Sequence, residues 1–179
     1  RRLAVVLRER GMQTGDHLAV LLENQLEFYD VVWAAMRTGL YVTPINWHLA
    51  PAEAGYIVRD CDATTLVAST TLASVVNDMG DALAAVTTRI SVDGDLPGFE
   101  RYDDVVAEAP PGDVPDEREG GWMFYSSGTT GQPKGILPPL AEVDLGALSL
   151  LPRLLGRPLG CTCHIVDTYP ALASDAARA

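Results

Sequence analysis

The stretch HLAVLLENQLEFYDVVWAAMRTGLYVTPIN, residues 17–46, contains the alternation that decides the fold class. Its apolar run HLAVLL has the length of a strand, and Asn24 follows as a candidate N-cap for a helix over residues 25–38, which Gly39 closes. The run LYVTPIN is the next strand candidate, with Pro44 near its end. The apolar residues expected on the buried stripe of the helix are Phe28, Val31, Val32, Trp33, Ala35 and Met36.

The same alternation of strands and helices continues on both sides of this stretch. Upstream, Leu3, Val6 and Leu7 have helical spacing, and the pattern stops at Gly11. Strands that alternate with helices form right-handed crossovers, which place helices on both faces of a mostly parallel sheet. We therefore predict an α/β fold, a layered and largely parallel sheet with flanking helices. The downstream elements are a helix over residues 50–60, a strand over 63–69, a helix over 71–86 and a strand over 88–93.

Composition excludes several classes of protein. A chain of 179 residues with 47% hydrophobic and 21% charged residues is typical of one globular domain. A net charge of -11 disfavours nonspecific binding to nucleic acid or to an anionic membrane, because both attract basic surfaces. No apolar run approaches the roughly 20 residues of a membrane span, and charges interrupt RRLAVVLRERG where a signal peptide would be apolar. We expect a cytoplasmic protein with no membrane span and no nucleic-acid partner.

The cysteines and histidines do not indicate a metal centre. The chain has three cysteines, which suits a reducing compartment better than a disulfide framework. Cys161, Cys163 and His164 are ligand types that zinc prefers, but no second ligand pair stands at suitable spacing. We assign no metal-binding residue. For His17 and His48 we expect packing or solvent roles, because neither has a carboxylate or nucleophile at a recognisable spacing.

A second stretch, YSSGTTGQPKGI, residues 125–136, follows the strand candidate WMFYSS and contains chemistry that the rest of the chain lacks. Lys134 is the only lysine in the sequence, since the other twelve basic residues are arginine. Glycines allow backbone N–H groups to converge on an anion, hydroxyls add neutral donors and the lysine adds a positive charge. The stretch therefore predicts a phosphate-binding loop on an acidic protein.

Two other nucleotide-binding motifs and a simple surface turn fit this stretch less well. A Walker loop needs a lysine directly after a glycine, whereas Lys134 follows Pro133. The Gly-x-Gly-x-x-Gly pattern of dinucleotide-binding folds is also missing. A surface turn rich in serine and threonine would account for a run of six serine, threonine and glycine residues. It accounts poorly for the full twelve-residue stretch.

The word YSSGTTGQPKG closely resembles the signature of the adenylate-forming (AMP-binding) superfamily, which includes acyl- and aryl-CoA synthetases, luciferases and adenylation domains of peptide synthetases. The resemblance extends upstream through residues 11–69 in order and spacing, and it covers roughly residues 1–156. It implies the N-terminal part of the large adenylate-forming domain. On this basis we expect residues 1–160 to belong to that domain and residues 161–179 to be a non-family tail, out of frame or disordered.

The resemblance also implies a reaction and a set of ligands. Such enzymes join ATP with Mg²⁺ to a small carboxylic acid, fatty or aryl, forming an acyl-adenylate and pyrophosphate, and most then transfer the acyl group to coenzyme A. No catalytic residue is assigned to this chain. The residues that the resemblance places around the phosphates are Ser126, Ser127, Gly128, Thr129, Thr130, Gly131 and Lys134.

The sequence also departs from the family pattern. Pro138 and Pro139 stand where a helix would often begin, and this variant is similar to one branch of bacterial fatty-acyl or aryl-CoA synthetases. The later motifs of the family are not found, and because Lys134 is the only lysine, the adenylation lysine is missing from these 179 residues. We therefore expect no carboxylate-dependent exchange of pyrophosphate into ATP from this chain alone.

Three functions remain open at this point. The first is the N-terminal part of an acid–CoA ligase. The second is a non-catalytic remnant with weak or no nucleotide binding. The third is a different phosphate-binding protein, such as a nucleotide hydrolase, although the spacing around Lys134 disfavours it.

Overall fold

The computed structural model describes residues 1–126, 132–141 and 143–145. Within this part of the chain, six strands form one sheet: β1 (His17–Leu21), β2 (Tyr41–Pro44), β3 (Thr65–Ser69), β4 (Thr88–Val92), β5 (Glu100–Arg101) and β6 (Gly121–Trp122). Their order is β5-β4-β3-β1-β2-β6, and every neighbouring pair is parallel. The predicted α/β class with a largely parallel sheet is confirmed. The part of the chain that the structure describes has no helix with both the length and the apolarity to cross a membrane.

Helices cover both faces of the sheet. They are α1 (Arg2–Glu9), α2 (Leu26–Met36), α3 (Pro51–Asp60), α4 (Ala73–Asp78) and α5 (Tyr102–Ala107). The helices α1, α2 and α5 share one apolar core, and α3 and α4 share another. Strand β1 contributes Leu18 and Val20 to the first core and Ala19 and Leu21 to the second. Its unbroken apolar run therefore reflects burial on both faces of a parallel sheet.

The structure corrects two details of the predicted helix α2. The N-cap is Gln25 rather than Asn24, and no side chain caps this end with a hydrogen bond. Trp33 is 58% exposed, so its predicted place in the core is wrong. Most of the predicted stripe is correct, because Val31, Val32 and Ala35 are buried while Phe28 and Met36 are half-buried.

The helix predicted over residues 71–86 is three short pieces. Helix α4 lies between two 3₁₀ turns, Thr70–Leu72 and Gly80–Leu83. Gly80 has a φ of 52°, a left-handed conformation that favours glycine and interrupts the helix. The second turn then brings Ala82 against α3, where a Cβ added to Gly55 would lie 2.9 Å from the Ala82 Cβ.

The strand predicted over residues 122–127 is divided between two sheets in its described part, residues 122–126. Strand β6 pairs with β2, and the Met123 N–H donates to the Val42 carbonyl over 2.9 Å. After Met123 the chain leaves the main sheet as β7 (Phe124–Ser126), which pairs with β8 (Lys134–Ile136) in an antiparallel hairpin. The residues of the phosphate-binding prediction thus belong to this hairpin and to the connection between its strands.

Candidate functional site

The β7–β8 hairpin brings Ser126 opposite Lys134. Both residues are exposed, and Lys134 forms no ion pair with any residue that the structure describes. A hydroxyl and an ammonium group at the base of one connection are donors that suit a phosphate oxygen. The other predicted site residues lie outside the described part of the chain: Ser127, Gly128, Thr129, Thr130 and Gly131.

The two faces of the hairpin differ. Side chains alternate along a strand, so Ser126 and Lys134 share a face with the opposed pair Phe124 and Ile136. Phe124 stacks on Trp122 with ring centroids 5.3 Å apart, and it remains 48% exposed. This exposed face therefore has apolar side chains, Phe124 and Ile136, at one end and polar side chains, Ser126 and Lys134, at the end next to the connection.

The opposite face of the hairpin packs closely. Gly135 is opposite Tyr125, and a Cβ added to Gly135 would lie 2.6 Å from the Met123 Cε and 3.2 Å from the Tyr125 Cζ. A side chain at residue 135 would therefore require the end of the Met123 side chain to move.

Tyr125 ties the hairpin to helix α3. Its hydroxyl donates to Asp60 Oδ2 over 2.6 Å, and the Tyr56 hydroxyl donates to Asp60 Oδ1 over 3.0 Å. Partial burial, and then the hydrogen bond to Asp60, raise the pKa of Tyr125, while the Asp60 hydrogen bond raises that of Tyr56. Both phenols thus remain donors, and Asp60 accepts one hydrogen bond on each carboxylate oxygen.

A second link holds the chain that leaves the hairpin. The Tyr41 hydroxyl donates to the Pro138 carbonyl over 2.6 Å, and Pro138 and Pro139 are not helical. The chain then returns to the sheet edge, where the Glu119 N–H donates to the Val143 carbonyl over 3.2 Å. Hydrogen bonds from the Tyr41 hydroxyl and the Glu119 N–H therefore each hold part of the chain that follows β8.

The described histidines pack against aromatic rings. His17 stacks on Tyr41 with centroids 4.8 Å apart, and burial lowers its pKa against the opposing effects of Asp62 and Asp16. His17 is the first residue of β1, an inner strand of the main sheet, whereas Ser126 and Lys134 belong to the separate β7–β8 sheet. His48 lies over Trp47, with ring centroids 3.5 Å apart.

No metal centre can be assigned from residues 1–126, 132–141 and 143–145, which contain no group of three or more potential ligands. The candidate ligands Cys161, Cys163 and His164 lie outside these ranges. Cys61 is a free, buried thiol, and burial raises its pKa from 9.0 to about 11.

The contribution of Asp60 was missed by sequence reasoning. Tyr56 and Asp60 stand four residues apart on a helix, which is the spacing of side chains that can meet. No comparable pattern connects Asp60 with Tyr125, 65 residues away.

Comparison with known proteins identifies relatives of the chain. Residues 1–140 match the family described as AMP-binding enzyme. The chain is 30% identical over 151 residues to a long-chain-fatty-acid–CoA ligase of Mycobacterium tuberculosis, covering 83% of this chain and 29% of that protein. It is 32% identical over 168 residues to the indoleacetate–CoA ligase of Aromatoleum aromaticum, covering 86% of this chain and 32% of that protein. The chain thus spans about a third of the length of these curated relatives.

Solved structures show the same fold. The anthranilate CoA ligase AuaEII in complex with anthranoyl-AMP matches with a TM-score of 0.68 at 24% identity, over 75% of this chain and 27% of that one. The inhibitor-bound N-terminal domain of FACL13 from Mycobacterium tuberculosis matches with a TM-score of 0.62 at 28% identity, over 76% of this chain and 34% of that one.

Proposed function

Because the chain belongs to the family of AMP-binding enzymes, we propose that it contributes ATP binding to the activation of a carboxylic acid. The proposed reaction forms an acyl-adenylate and then an acyl-CoA thioester, and the proposed acid is fatty or aryl. The named functions of the relatives support this choice, since one is a long-chain-fatty-acid–CoA ligase and another an indoleacetate–CoA ligase.

The main structural support for this proposal is that Ser126 and Lys134 lie opposite each other in the β7–β8 hairpin. In the proposed complex the Lys134 ammonium and the Ser126 hydroxyl donate to phosphate oxygens. Ser127, Gly128, Thr129, Thr130 and Gly131 are proposed to complete the set. A charge-assisted hydrogen bond contributes roughly 1.5–3 kcal/mol, so a few of them suffice for an anion on a protein of net charge -11.

These donors suit the charge that develops in the reaction. Attack of a carboxylate on the α-phosphate releases pyrophosphate, so negative charge grows on the β- and γ-phosphate groups. Fixed donors that follow this charge stabilise the transition state more than the ground state. We propose this electrostatic role for Lys134 and assign the chain no acid, base or nucleophile.

Mg²⁺ and coenzyme A are proposed as further ligands of the reaction. Family enzymes use ATP, Mg²⁺ and coenzyme A in general. Mg²⁺ is bound in many phosphate sites largely through the phosphates and water, so we propose that it enters with the nucleotide. We assign no residue of this chain to coenzyme A.

The cellular location of the protein and the nature of residues 161–179 are also proposals. The net charge and the cysteine content support a cytoplasmic location. We also propose that residues 161–179 form a tail outside the family pattern, which is supported by a family match that covers residues 1–140. The coding DNA tests the out-of-frame origin of this tail, because a shifted reading frame should then encode further family sequence.

The single lysine allows a direct test of nucleotide contact. An amine-acylating reagent modifies only the Lys134 side chain and the α-amino group, which serves as an internal control. We expect ATP with Mg²⁺ to slow acylation of Lys134 several-fold without slowing that of the α-amino group. AMP should protect less, because it lacks the β- and γ-phosphates.

Other outcomes of this test favour the other functions. Equal acylation with and without ATP would contradict the proposal and favour a remnant that binds no nucleotide. Release of phosphate from ATP without any acid would favour a hydrolase. For these 179 residues alone we propose binding without adenylate formation, so pyrophosphate exchange that depends on a carboxylic acid would contradict that part.

A further inference from the structure

We propose that Asp60 is a positioning residue for the phosphate-binding hairpin, because its carboxylate holds Tyr125, the residue next to Ser126. The proposal extends the proposed function, on which it depends for the identity of the ligand. The contact itself can be tested without any ligand. We call the three residues Tyr56, Asp60 and Tyr125 the clasp.

The clasp joins parts of the chain that are distant in sequence. Asp60 is the last residue of α3, and its Oδ2 accepts the Tyr125 hydroxyl over 2.6 Å. Its Oδ1 accepts the Tyr56 hydroxyl over 3.0 Å, which engages the carboxylate from the preceding turn of the helix. Tyr125 thus donates to a carboxylate whose other oxygen is already engaged.

The hairpin has few other attachments to the main sheet. Strands β7 and β8 pair only with each other in the described part of the chain, and a two-stranded hairpin is marginally stable in water. The attachments in the described part of the chain include the Met123 N–H bond to Val42, burial of the Met123 side chain, the stacking of Phe124 on Trp122, the Tyr41 bond to Pro138 and the clasp. Of these, the clasp acts nearest to Ser126 and Lys134.

Tyr125 also contacts β8, the second strand of the hairpin. It is opposite Gly135, where an added Cβ would lie 3.2 Å from both the Tyr125 Cζ and its hydroxyl oxygen. Gly135 directly follows Lys134. Because the Tyr125 ring contacts Gly135 of β8 and its hydroxyl bonds to α3, release of Tyr125 would loosen both strands of the hairpin.

The electrostatics favour a lasting hydrogen bond. Burial and the bond to Asp60 raise the pKa of Tyr125, so the phenol remains a donor through neutral and mildly alkaline pH. Asp60 is exposed, so its carboxylate is solvated and can be replaced without opening the core. A hydrogen bond to an exposed acceptor contributes about 1 kcal/mol, equivalent to roughly a fivefold change in local opening.

Proteolysis measures this opening at one peptide bond. Lys134 is the only lysine, so a lysine-specific endoprotease cuts the chain only between Lys134 and Gly135, within β8. We expect Tyr125→Phe and Asp60→Ala each to increase the rate of native-state cleavage roughly fivefold, without ligand present. Asp60→Asn should recover part of the loss, because its amide oxygen still accepts a hydrogen bond.

A double-variant comparison separates the clasp from general destabilisation. If Asp60 acts through Tyr125, Asp60→Ala combined with Tyr125→Phe should cleave no faster than either single variant. Tyr56→Phe, the matched loss of a phenol on the other oxygen, should change the rate less than twofold. Urea unfolding of each variant shows whether the fold is intact.

The outcomes of this experiment are distinct from those of the proposed function. Unchanged cleavage in Asp60→Ala and Tyr125→Phe, or additive effects in the double variant, would overturn the clasp whether or not ATP binds. Faster cleavage in a chain that binds no ATP would support the clasp and contradict the proposed function. If both the clasp and the proposed function are correct, Asp60→Ala and Tyr125→Phe should show equally reduced affinity for ATP with Mg²⁺.

Discussion

Lys134 lies directly opposite Ser126 in the β7–β8 ladder, although residues 127–133 separate them along the chain. The pairing places the only lysine of the sequence beside the first hydroxyl of the predicted phosphate-binding loop. Each lies one residue from the Tyr125–Gly135 pair, which packs toward helix α3. The position of the two donors therefore depends on contacts made by residues that would not themselves touch phosphate.

We predict that Gly120 is required for the contact between β6 and β2. Its N–H donates to the Met36 carbonyl over 2.6 Å, and an added Cβ would lie 2.5 Å from the Leu40 carbonyl oxygen and 2.8 Å from the Met36 Cα. These are backbone atoms that cannot rotate away. Gly120→Ala should lower the free energy of unfolding in urea by about 3 kcal/mol or more.

Gly135→Ala is the matched control for this substitution. Its new Cβ would meet the Cε at the flexible end of Met123, which can move. The expected loss is about 1 kcal/mol. Equal losses for the two alanine variants would show that the close approach at Gly120 is not the reason for glycine there.

Stability should decrease in alkali because of Cys61. Burial raises the pKa of its thiol from 9.0 to about 11 in the folded chain, so the folded state retains a proton that the unfolded state loses near pH 9. The stabilisation is therefore complete below pH 9 and is lost as the pH rises toward 11. Between pH 8.5 and 10.5 the folded chain should lose about 2 kcal/mol more than Cys61→Ala does.

Urea unfolding at a series of pH values measures this difference. Tyrosines titrate in both proteins, so only the difference between the two curves reports on Cys61. Parallel curves across this range would contradict the assignment of a buried, protonated thiol.

Tyr41→Phe should weaken the link to the segment that leaves the hairpin. The lost hydrogen bond joins the Tyr41 hydroxyl and the Pro138 carbonyl over 2.6 Å, and its removal should lower the free energy of unfolding by about 1 kcal/mol. Tyr29→Phe removes a hydroxyl from a side chain that is 54% exposed and should change stability by less than about 0.5 kcal/mol. Equal losses of stability in Tyr41→Phe and Tyr29→Phe would contradict a stabilising hydrogen bond between Tyr41 and Pro138.

Local patterns explain why the main sheet could be predicted. Strand β1 is a short apolar run buried on both faces, and α2 has buried residues at helical spacing, so both are visible within a few residues of sequence. Trp33 was predicted to lie on the buried stripe but is exposed. Helical spacing predicts a buried stripe but not its width, which depends on how α1 and the sheet cover α2.

Contacts between distant segments could not be predicted in the same way. The word around Lys134 indicated phosphate chemistry through its residue types, but it did not predict that Tyr125 would bond to Asp60. The helix predicted over residues 71–86 is broken because Gly80 adopts a left-handed conformation. Sequence spacing alone does not distinguish such a glycine from one that a helix tolerates.

Equilibrium binding of ATP measures whether Lys134 contacts the phosphates. The affinity for ATP with Mg²⁺ is compared between the unmodified chain, Lys134→Ala and Arg101→Ala. The last variant removes the same charge from β5, at the other end of the sheet. It therefore controls for the loss of net charge.

We predict that Lys134→Ala weakens ATP binding by roughly tenfold or more, because a charge-assisted hydrogen bond to phosphate contributes about 1.5–3 kcal/mol. Arg101→Ala should change the affinity less than twofold. An unchanged affinity in Lys134→Ala, or equal losses in the two variants, would contradict the claim that this lysine holds the nucleotide.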